Sequence, residues 1–408
     1  MQKNNYPRVL VLGHQFNDKT GIGITLSNLF YDWPNERIGV MCPKVYTEDN
    51  EKSRPCGAYI GKPINSVQST KIQKNYYFKN SIKHFYVNSG IIDFMYKLSY
   101  TPAQIEEAKD YNPDILFCCL GSQKAMKDCL AIKEQLPDAK LVLYILDDWV
   151  NTKESDRLFS YYWKRKNDKY FRELLDKASG LLSICQSMSD AYLEKYGKTF
   201  IPFHNPVDVN QWLAVRSIRK YRDNEKSIIY AGKINKDTKD CLIDFAAVID
   251  KLNKQGHSFV FDVYTPNYDE NANVLASFTG SHVFPSIPHS EVASVTKSYD
   301  ASLLTLGFSE KTKKYVKLSM STKVSEVLAS GIPTILYCPQ DIALAKYLVG
   351  HECVISCVKR DNDCLAQAVK KLLDKSSCEH IVTKALLLAK EHDNTVVRER
   401  FRRTLESF

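Results

Sequence analysis

Residues 321–333 read STKVSEVLASGIP and lead directly into the apolar run TILYC. The pattern is that of a short helix, because hydroxyl side chains stand at its start and Gly331 and Pro333 stand at its end. Ser321 or Thr322 is expected to cap the helix, which is predicted to stop at Gly331. The apolar run after Pro333 predicts a buried strand, so the segment is one helix–strand unit of an α/β sheet.

Similar apolar runs alternate with helical patterns along the whole chain. The predicted strands cover residues 8–13, 37–42, 114–120, 140–146, 180–185, 199–205, 227–232, 258–265, 282–287, 301–307, 333–338 and 353–358. Nearly continuous apolar strands that alternate with helices indicate parallel sheets whose two faces are covered by helices. The sequence therefore predicts an α/β protein with doubly wound parallel sheets.

A change of composition separates two series of strands and helices within the 408 residues. Residues 206–226 begin with a proline and are polar and densely charged, which favours a domain boundary. The predicted organisation is a first domain over 1–207, a linker over 208–226, a second domain over 227–385 and a C-terminal helix over 386–408 that packs back toward the first domain. The last helix is predicted to begin at about 377 and end at about 406. Two such domains would leave a cleft between them, and ligands bind at the C-terminal edges of their strands.

Charge and cysteine content restrict the kinds of partner. Lysine and arginine number 56 and aspartate and glutamate 47, so the formal net charge is +9. This excess of base suits phosphorylated ligands or an anionic membrane face. Because no nucleic-acid-binding motif occurs, no nucleic acid partner is expected. The twelve cysteines form no CxxC pair, which indicates reduced thiols rather than a metal site.

The N-terminus offers no targeting signal. It reads MQKNNYPR, and no window of the chain reaches the roughly 18 apolar residues of a membrane-spanning helix. We therefore expect a cytoplasmic protein, either free or bound at the inner face of the cell membrane.

Gly21 and Gly23 open a helical pattern after the first strand. A dinucleotide-binding fingerprint would need a third glycine where Leu26 stands, and the glycine pair would have to follow the strand directly. No Walker GK[ST] sequence occurs either, so no nicotinamide, flavin or other cofactor is expected. A flexible loop before a helix can still present backbone N–H groups to a diphosphate, and the alternative is a tight turn that binds nothing.

Polar residues at the start of the helix in 321–333 suit a nucleoside diphosphate. The helix dipole, the hydroxyls of Ser321 and Thr322 and the charge of Lys323 all favour phosphate. Glu326 lies one turn later, where a carboxylate can accept two hydrogen bonds from the 2′,3′-diol of a ribose. The alternative is a capped amphipathic helix whose glutamate is solvated.

The segment resembles the nucleotide-binding stretch of GT-B glycosyltransferases, in particular the family 4-like bacterial enzymes that build surface polysaccharides. Their pattern is close to S/P-x-K-x-x-E-Y-L-A-x-G-x-P, and here the tyrosine alone is replaced, by Val327. The resemblance implies two Rossmann-like domains facing a cleft, with a nucleoside diphosphate sugar bound by the second. It assigns diphosphate contacts to Ser321, Thr322 and Lys323 and the ribose contact to Glu326.

The resemblance extends over nearly the whole chain. VLVLGHQFNDKTGIGITLSNLF (9–30) looks like the first strand and glycine loop of the family, and IIYAGKINKDTKD (228–240) looks like the opening of its donor domain. Family members often carry Gly-Arg there and a lysine about six residues later. Lys233 and Lys239 stand at these places and would stabilise a leaving diphosphate, and the alternative is two surface lysines in a lysine-rich loop. Recognition of the base is implied for the loop 284–288, with Ile287 as the candidate.

Two positions depart from the family pattern. Many members have a Glu-x7-Glu pair whose second glutamate corresponds to Glu326, but Leu318 stands at the place of the first. Asp147 stands where relatives often have histidine. One of the carboxylates of Asp147 and Asp148, which follow a predicted strand, could bind a sugar hydroxyl or act as a general base, and the alternative is a cap on the next helix. These departures leave the transferred sugar and the stereochemical course open.

His14 follows the first predicted strand, at the edge where ligands of parallel sheets bind. A histidine there can bind an acceptor or sugar hydroxyl. The alternative is a loop residue that is hydrogen-bonded to the backbone.

Two stretches of the first domain combine basic and aromatic residues. They are residues 74–100 and residues 161–175. Bases attract anionic headgroups, and aromatic side chains settle at the membrane interface. Contact with an anionic membrane is therefore a hypothesis, and the alternative is a half-buried helix whose aromatic residues belong to the core.

The sequence as a whole predicts a hexosyltransferase-like glycosyltransferase that moves a sugar from a nucleoside diphosphate sugar to a hydroxyl acceptor. The acceptor would be a glycan or a lipid-linked sugar, in surface polysaccharide or glycoconjugate synthesis. Resemblance to family 4 implies retention of configuration. No metal is expected, because Lys233, Lys239 and the helix start at Ser321 carry the positive charge. Two alternatives stay open, namely an inactive GT-B protein that only binds a nucleotide sugar, which Leu318 favours, and a nucleotide-sugar epimerase of the same fold.

Overall fold

The computed structural model describes residues 6–64, 97–152, 160–222, 224–266 and 270–408. The chain divides into two compact units: unit 1 contains Met1–Asn205 and Val397–Phe408, and unit 2 contains Pro206–Val396. Each unit is built on one parallel sheet, as the alternation of apolar strands and helices predicts.

The described residues of unit 1 form a seven-stranded sheet in the order β3-β2-β1-β4-β5-β6-β7. Its strands are β1 Val9–Leu12, β2 Ile38–Val45, β3 Ala58–Pro63, β4 Ile115–Cys119, β5 Lys140–Ile145, β6 Ala178–Ser183 and β7 Ile201–Pro202. Its helices are α1 Gly21–Leu29, α2 Thr47–Ser53, α3 Pro102–Tyr111, α4 Gln123–Gln135, α5 Trp149–Thr152, α6 Ser160–Lys177 and α7 Gln186–Tyr196, with a further C-terminal helix given below. All residues of β1 and β4 are buried, which explains why these strands read as continuous apolar runs.

The edge of this sheet departs from the sequence pattern. β3 is not predicted, because its sequence AYIGKP contains a glycine and a proline. Because β3 is the edge strand, it tolerates Pro63, which has no backbone N–H to donate to the hydrogen-bond ladder. Gly61 is needed there because a Cβ atom would lie 2.1 Å from the carbonyl oxygen of Cys42. The neighbouring β2 also continues past Pro43, with a shift of register at that point.

In the part of unit 2 that the structure describes, six strands form a sheet in the order β10-β9-β8-β11-β12-β13. Its strands are β8 Lys226–Ala231, β9 Phe259–Thr265, β10 Ser281–Pro285, β11 Ala301–Thr305, β12 Thr334–Tyr337 and β13 Ile355–Cys357. Its helices are α8 Val209–Ala214, α9 Lys239–Lys254, α10 Glu270–Ala276, α11 Val292–Thr296, α12 Glu310–Val316, α13 Val324–Ala329, α14 Ala343–Gly350, α15 Asn362–Lys370 and α16 Lys375–Ala389. The core packs the buried face of α9 against the sheet, with Phe245 and Phe261 in ring contact at 4.7 Å. The helix α8 lies within the segment 208–226 that is predicted as a linker.

The prediction of one long final helix from about 377 to about 406 is wrong. α16 ends at Ala389, a 3-10 turn covers Lys390–His392, and α17 Asn394–Ser407 follows. The helix is interrupted because residues 392–394 pair with Val207, whose N–H donates to His392 O at 2.9 Å and whose carbonyl accepts from Asn394 N at 2.8 Å.

The predicted start of α13 is also wrong, whereas its predicted end is confirmed. Lys323 is the N-cap residue and no side chain caps the helix. A turn precedes the helix, in which the Ser321 carbonyl accepts from Val324 N at 3.1 Å and the Ser321 hydroxyl accepts from Lys323 N at 3.4 Å. The turn therefore puts Lys323, whose side chain has no acceptor atom, at the cap position. At the other end Gly331 adopts a φ of +74°, which is the left-handed conformation that glycine supplies after a helix.

Candidate functional site

The loops after β8, β10 and β11 and the start of α13 lie at the carboxyl-terminal edge of the unit 2 sheet, because all its strands are parallel. We call Lys323, Glu326, His289, Lys233 and Lys239 at this edge the unit 2 site. Sheets of this kind bind ligands at that edge.

Lys323 is anchored to the end of β8. Its Nζ atom donates a hydrogen bond to the Ala231 carbonyl and lies 5.1 Å from the centroid of the Tyr230 ring. The space that Nζ occupies exists because residue 232 is glycine, since a Cβ atom there would lie 2.1 Å from Nζ. Burial lowers the pKa of Lys323, and the charge of Glu326 opposes this shift. The ammonium group is therefore fixed at the strand end with further N–H donors that can meet a phosphate.

Gly232→Ala is expected to weaken binding of nucleoside diphosphates about ten-fold, the effect of losing one charged hydrogen bond. The added methyl group would displace the Lys323 ammonium from the end of β8, and the fold should tolerate this because a flexible side chain moves. Isothermal titration with UDP and GDP measures the effect. Gly350→Ala is the control, since no atom lies within 4 Å of its added Cβ. An unchanged affinity in a folded Gly232→Ala protein would contradict the assignment of Lys323.

Glu326 lies one turn into α13, half-buried, with Lys323 and His289 as its charged neighbours. Burial raises the pKa of Glu326, and the charges of His289 and Lys323 oppose the rise. Within the described parts of the chain its carboxylate accepts no hydrogen bond. A carboxylate that is partly desolvated and free of protein donors can accept hydrogen bonds from a ligand diol.

His289 is a site residue that the sequence reasoning missed. It begins the 3-10 turn His289–Glu291 and is exposed beside Glu326. Its position directly after the loop 284–288, which is predicted to contact the base, could have indicated it as a site residue. Ile287 in that loop is half-buried, two residues before His289, at the same edge of the sheet.

The two lysines of the β8–α9 loop differ in their surroundings. Lys233 is exposed, and its carbonyl accepts from Tyr230 Oη and from Thr238 Oγ1, both at 3.1 Å. Lys239 is half-buried and is the first residue of α9. The loop between them is tied down, because the Asp237 carbonyl accepts from Gly307 N at 2.6 Å. The structure therefore brings Lys233, Lys239 and Lys323 to one edge of one sheet.

A buried carboxylate supports the strand that leads to the loop 284–288. Asp262 on β9 is fully buried and accepts hydrogen bonds from Lys220 Nζ at 2.7 Å, Tyr299 Oη at 2.5 Å and His282 Nδ1 at 2.9 Å. Burial opposes ionisation, but these donors hold the pKa of Asp262 below its ordinary value. Lys220 Nζ also lies 4.2 Å from the centroid of Phe284 on β10. Asp262 and Lys220 thereby hold His282 and Phe284 on β10, the strand that leads into the loop.

The glycine loop of unit 1 is closed by its own side chains. Asn17 Oδ1 accepts from Lys19 N at 3.0 Å and Thr20 N at 2.8 Å, and Thr20 Oγ1 caps α1 by accepting from Gly23 N at 3.1 Å. A Cβ atom at Gly23 would lie 2.3 Å from the Asn17 amide nitrogen. The close approach of Asn17 explains why residue 23 is a glycine without any ligand. Gly21 is exposed at the start of α1. Phosphate binding by Gly21 and Gly23 stays a prediction.

The three predicted catalytic residues lie at the carboxyl-terminal edge of the unit 1 sheet. His14 follows β1, Asp147 and Asp148 follow β5, and β4 lies between these strands, so the two positions are roughly 10 Å apart across the sheet. Burial lowers the pKa of His14, and a backbone contact with Cys119 opposes the shift. His14 is therefore a neutral imidazole at pH 7, which is the form that accepts a proton.

Asp148 is engaged by protein groups. It is buried, and its Oδ1 accepts from Tyr192 Oη at 2.7 Å and from Asn151 Nδ2 at 2.5 Å. Burial raises its pKa, and the bonds from Tyr192 and Asn151 oppose the rise. Asp147 is half-exposed. This geometry favours a structural role for Asp148 and leaves Asp147 as the more accessible carboxylate.

The stretch 161–175 forms most of α6, which presents two different faces. Trp163 and Phe171 are buried and belong to the core. Tyr161, Arg165 and Lys169 are exposed at successive turns, and Tyr161 exposes 77% of its surface. Of the other stretch, residues 74–96 lie outside the described residues.

In the parts of the chain that the structure describes, no group of three or more histidine, cysteine or acidic side chains could hold a metal ion. Among the same residues, no helix is both long and apolar enough to cross a membrane.

The architecture matches solved structures over almost its whole length. A glycosyltransferase from Rickettsia africae aligns with 98% of this chain and 100% of its own, with a TM-score of 0.65 and 12% identity. Anabaena HepE, solved with UDP and glucose, aligns with 99% of this chain and 100% of its own, with a TM-score of 0.66 and 11% identity. The chain has the GT-B fold. A Listeria monocytogenes structure described as a UDP-N-acetylglucosamine 2-epimerase also aligns, over 98% of this chain and 96% of its own, with a TM-score of 0.58 and 10% identity.

No family model matches the sequence. No curated protein matches it either. The two-domain GT-B prediction is confirmed by the two parallel sheets and these structural neighbours, whereas membership of family 4 stays a prediction.

Proposed function

We propose that this protein is a glycosyltransferase that binds a nucleoside diphosphate sugar at the unit 2 site and transfers the sugar to a hydroxyl acceptor. The observation that carries the proposal is the pairing of an anchored lysine, Lys323, with a half-buried carboxylate one turn later, Glu326, at the ligand-binding edge of a parallel sheet. The structural neighbours supply the same fold with UDP and glucose bound in one case.

Four residues of the unit 2 site, and three that lie close to them in the sequence, have roles in this proposal. Lys323, Lys233 and Lys239 neutralise the diphosphate and stabilise it as a leaving group, together with the polar turn at Ser321 and Thr322. Glu326 accepts hydrogen bonds from the ribose, and Ile287 contacts the base. Positive charge from lysines does the work that a metal ion does in other transferases, so the activity is expected to survive EDTA.

Unit 1 would bind the acceptor. In this proposal the neutral imidazole of His14 or the carboxylate of Asp147 contacts a sugar or acceptor hydroxyl. Retention of configuration and a role in surface polysaccharide synthesis are part of the proposal and derive from the resemblance to family 4. Leu318, at the place of the first family glutamate, means that the transferred sugar is positioned by other groups.

A panel of UDP- and GDP-sugars tests the function. Thermal-shift binding followed by donor hydrolysis and transfer to simple glycoside acceptors should give one productive donor. Tight nucleotide binding with no hydrolysis and no transfer would support the inactive GT-B protein that Leu318 suggests. Interconversion of UDP-N-acetylhexosamine epimers without transfer would support the epimerase, which the Listeria neighbour makes the second candidate.

The exposed face of α6 is proposed to contact anionic membrane lipids. Tyr161, Arg165 and Lys169 combine an aromatic side chain with two bases on one exposed face. We expect the protein to float with phosphatidylserine vesicles at low salt, and the double variant Arg165→Glu, Lys169→Glu to float several-fold less because each base contributes about 1 kcal/mol. Zwitterionic vesicles are the control. If the variant and the wild type float equally, the exposed face of α6 does not contact the membrane.

A further inference from the structure

Two pairs of cysteine thiols lie at the same separation but differ in access to solvent. Cys357 Sγ and Cys364 Sγ are 3.2 Å apart in unit 2, and Cys118 Sγ and Cys129 Sγ are 3.2 Å apart in unit 1. Cys118 and Cys129 are both buried, whereas Cys364 is partly exposed beside the buried Cys357. A disulfide bond is about 2.05 Å long, so each pair needs to close by only about 1.2 Å.

The pair in unit 2, Cys357 and Cys364, spans a loop at the edge that carries the unit 2 site. Cys357 ends β13 and Cys364 lies in the first turn of α15. Between them Arg360 forms a two-pronged salt bridge with Asp244, with Nε–Oδ2 at 2.8 Å and Nη2–Oδ1 at 3.2 Å. Asp244 belongs to α9, the helix that begins with Lys239.

We propose that Cys357 and Cys364 form a peroxide-sensitive dithiol site whose disulfide weakens nucleotide binding at the unit 2 site. The part about nucleotide binding rests on the proposed function, and the part about the disulfide does not. No feature of the sequence pattern points to this pair, because six residues separate the two cysteines and neither belongs to a CxxC motif.

The chemistry uses a hydroperoxide as the oxidant. The Cys364 thiol loses its proton, and the thiolate attacks one oxygen of the O–O bond, so that an S–O bond forms and the O–O bond breaks. The leaving oxygen takes up the proton that the thiol released and departs as water or an alcohol. The Cys357 sulfur then attacks the Cys364 sulfur, an S–S bond forms, and the hydroxide that leaves takes up the Cys357 proton as water. Two thiols lose two electrons and two protons, and the peroxide is reduced. Cys364 reacts first because it is partly accessible to solvent, whereas Cys357 is buried and burial raises its pKa to about 12.

The disulfide acts on the unit 2 site through Arg360. Closing the pair moves the loop that carries Arg360 by about 1 Å, and a two-pronged guanidinium–carboxylate contact is sensitive to such a shift. α9 would then lose a contact near Lys239. We expect affinity for UDP to fall about three-fold, the change that loss of one partly exposed ion pair produces.

The experiment compares the full-length protein before and after mild hydrogen peroxide, with alkylation of free thiols and peptide mass spectrometry. We expect a cross-linked pair at Cys357 and Cys364 that has lost two hydrogens and is restored by dithiothreitol, with Cys118 and Cys129 still alkylated after unfolding. Cys364→Ser and Cys364→Ala should each abolish the cross-link. The dithiol site would be overturned if Cys357 and Cys364 both remain free after peroxide treatment. It would also be overturned if this pair and the pair of Cys118 and Cys129 oxidise at the same rate.

UDP titration of the same samples tests the second half of the proposal. Oxidised wild type should bind about three-fold more weakly than reduced wild type, and peroxide should not change binding by Cys364→Ser. A cross-link without any change in affinity would overturn the link to the unit 2 site. If the reduced protein binds no nucleoside diphosphate at all, the proposed function fails, while the mass spectra still decide whether the dithiol site exists.

Discussion

Glu326→Ala is expected to lower the affinity for a nucleoside diphosphate about 100-fold, because two hydrogen bonds from ribose hydroxyls to a charged acceptor are lost. Glu326→Gln should lower it about ten-fold, since the amide keeps one oxygen acceptor but has no charge. Both values are measured by isothermal titration. The large size of the effect follows from the half-buried position of Glu326 and from its lack of a protein donor among the described residues.

Glu310→Gln is the matched control in the same unit. Glu310 is the first residue of α12 and pairs with Lys313 at 2.5 Å on the surface. Its replacement should leave nucleotide affinity unchanged. Equal losses for Glu310→Gln and Glu326→Gln would show that charge in general, rather than a contact of Glu326, governs binding.

The same carboxylate predicts a dependence on pH. Burial raises the pKa of Glu326, so the neutral form persists to a higher pH than for an ordinary glutamate. Because the ionised form accepts the ribose hydrogen bonds, wild-type affinity should fall on acidification at a pH above the usual glutamate range. The affinity of Glu326→Gln should lack this step.

Arg54→Met is expected to destabilise unit 1 by about 3 kcal/mol, because several buried carbonyl groups lose a charged donor. Arg54 is 3% exposed, and its guanidinium donates to the carbonyls of Phe30, Trp33 and Pro55 and to Asn35 Oδ1. Phe30 is the C-cap residue of α1, so a cation here satisfies the carbonyl end of a helix, where the dipole is negative. Burial lowers the pKa of Arg54, which remains a cation.

Urea unfolding followed by circular dichroism measures this loss. Arg165→Met is the control, because Arg165 is exposed on α6 and its replacement should change the free energy of unfolding by less than about 0.5 kcal/mol. A free energy of unfolding for Arg54→Met equal to that of Arg165→Met would mean that water replaces the guanidinium at no cost. Nucleotide affinity should be unchanged in both variants, since neither residue belongs to the unit 2 site.

The sequence predicts the two sheets and most of their strands because parallel strands are buried on both faces and read as apolar runs. It misses β3, whose edge position permits the glycine and proline that hide it. Gly331 is predicted correctly because its left-handed conformation depends on local chemistry. The cap of α13 is predicted wrongly because the preceding turn puts Lys323, whose side chain has no acceptor atom, at the cap position in place of Ser321 or Thr322.

In the candidate site too, local features are predicted and tertiary contacts are missed. Lys323 and Glu326 are found because one turn of helix separates them, and a local motif records that spacing. His289 and Tyr192 are missed because each meets its carboxylate, Glu326 or Asp148, across the tertiary structure. Single-sequence reasoning finds partners that share an element and overlooks partners that the fold brings together.

Calorimetric titration of the wild-type protein and Glu326→Ala with UDP and GDP decides whether the unit 2 site binds a nucleoside diphosphate. Wild type is expected to bind one molecule of one of these nucleotides, and a sugar-bearing form should compete for the same site. Glu326→Ala should lose about two orders of magnitude in affinity while its unfolding curve is unchanged. A folded wild-type protein that binds neither nucleotide, or a Glu326→Ala variant that binds as tightly as wild type, would contradict the proposed site.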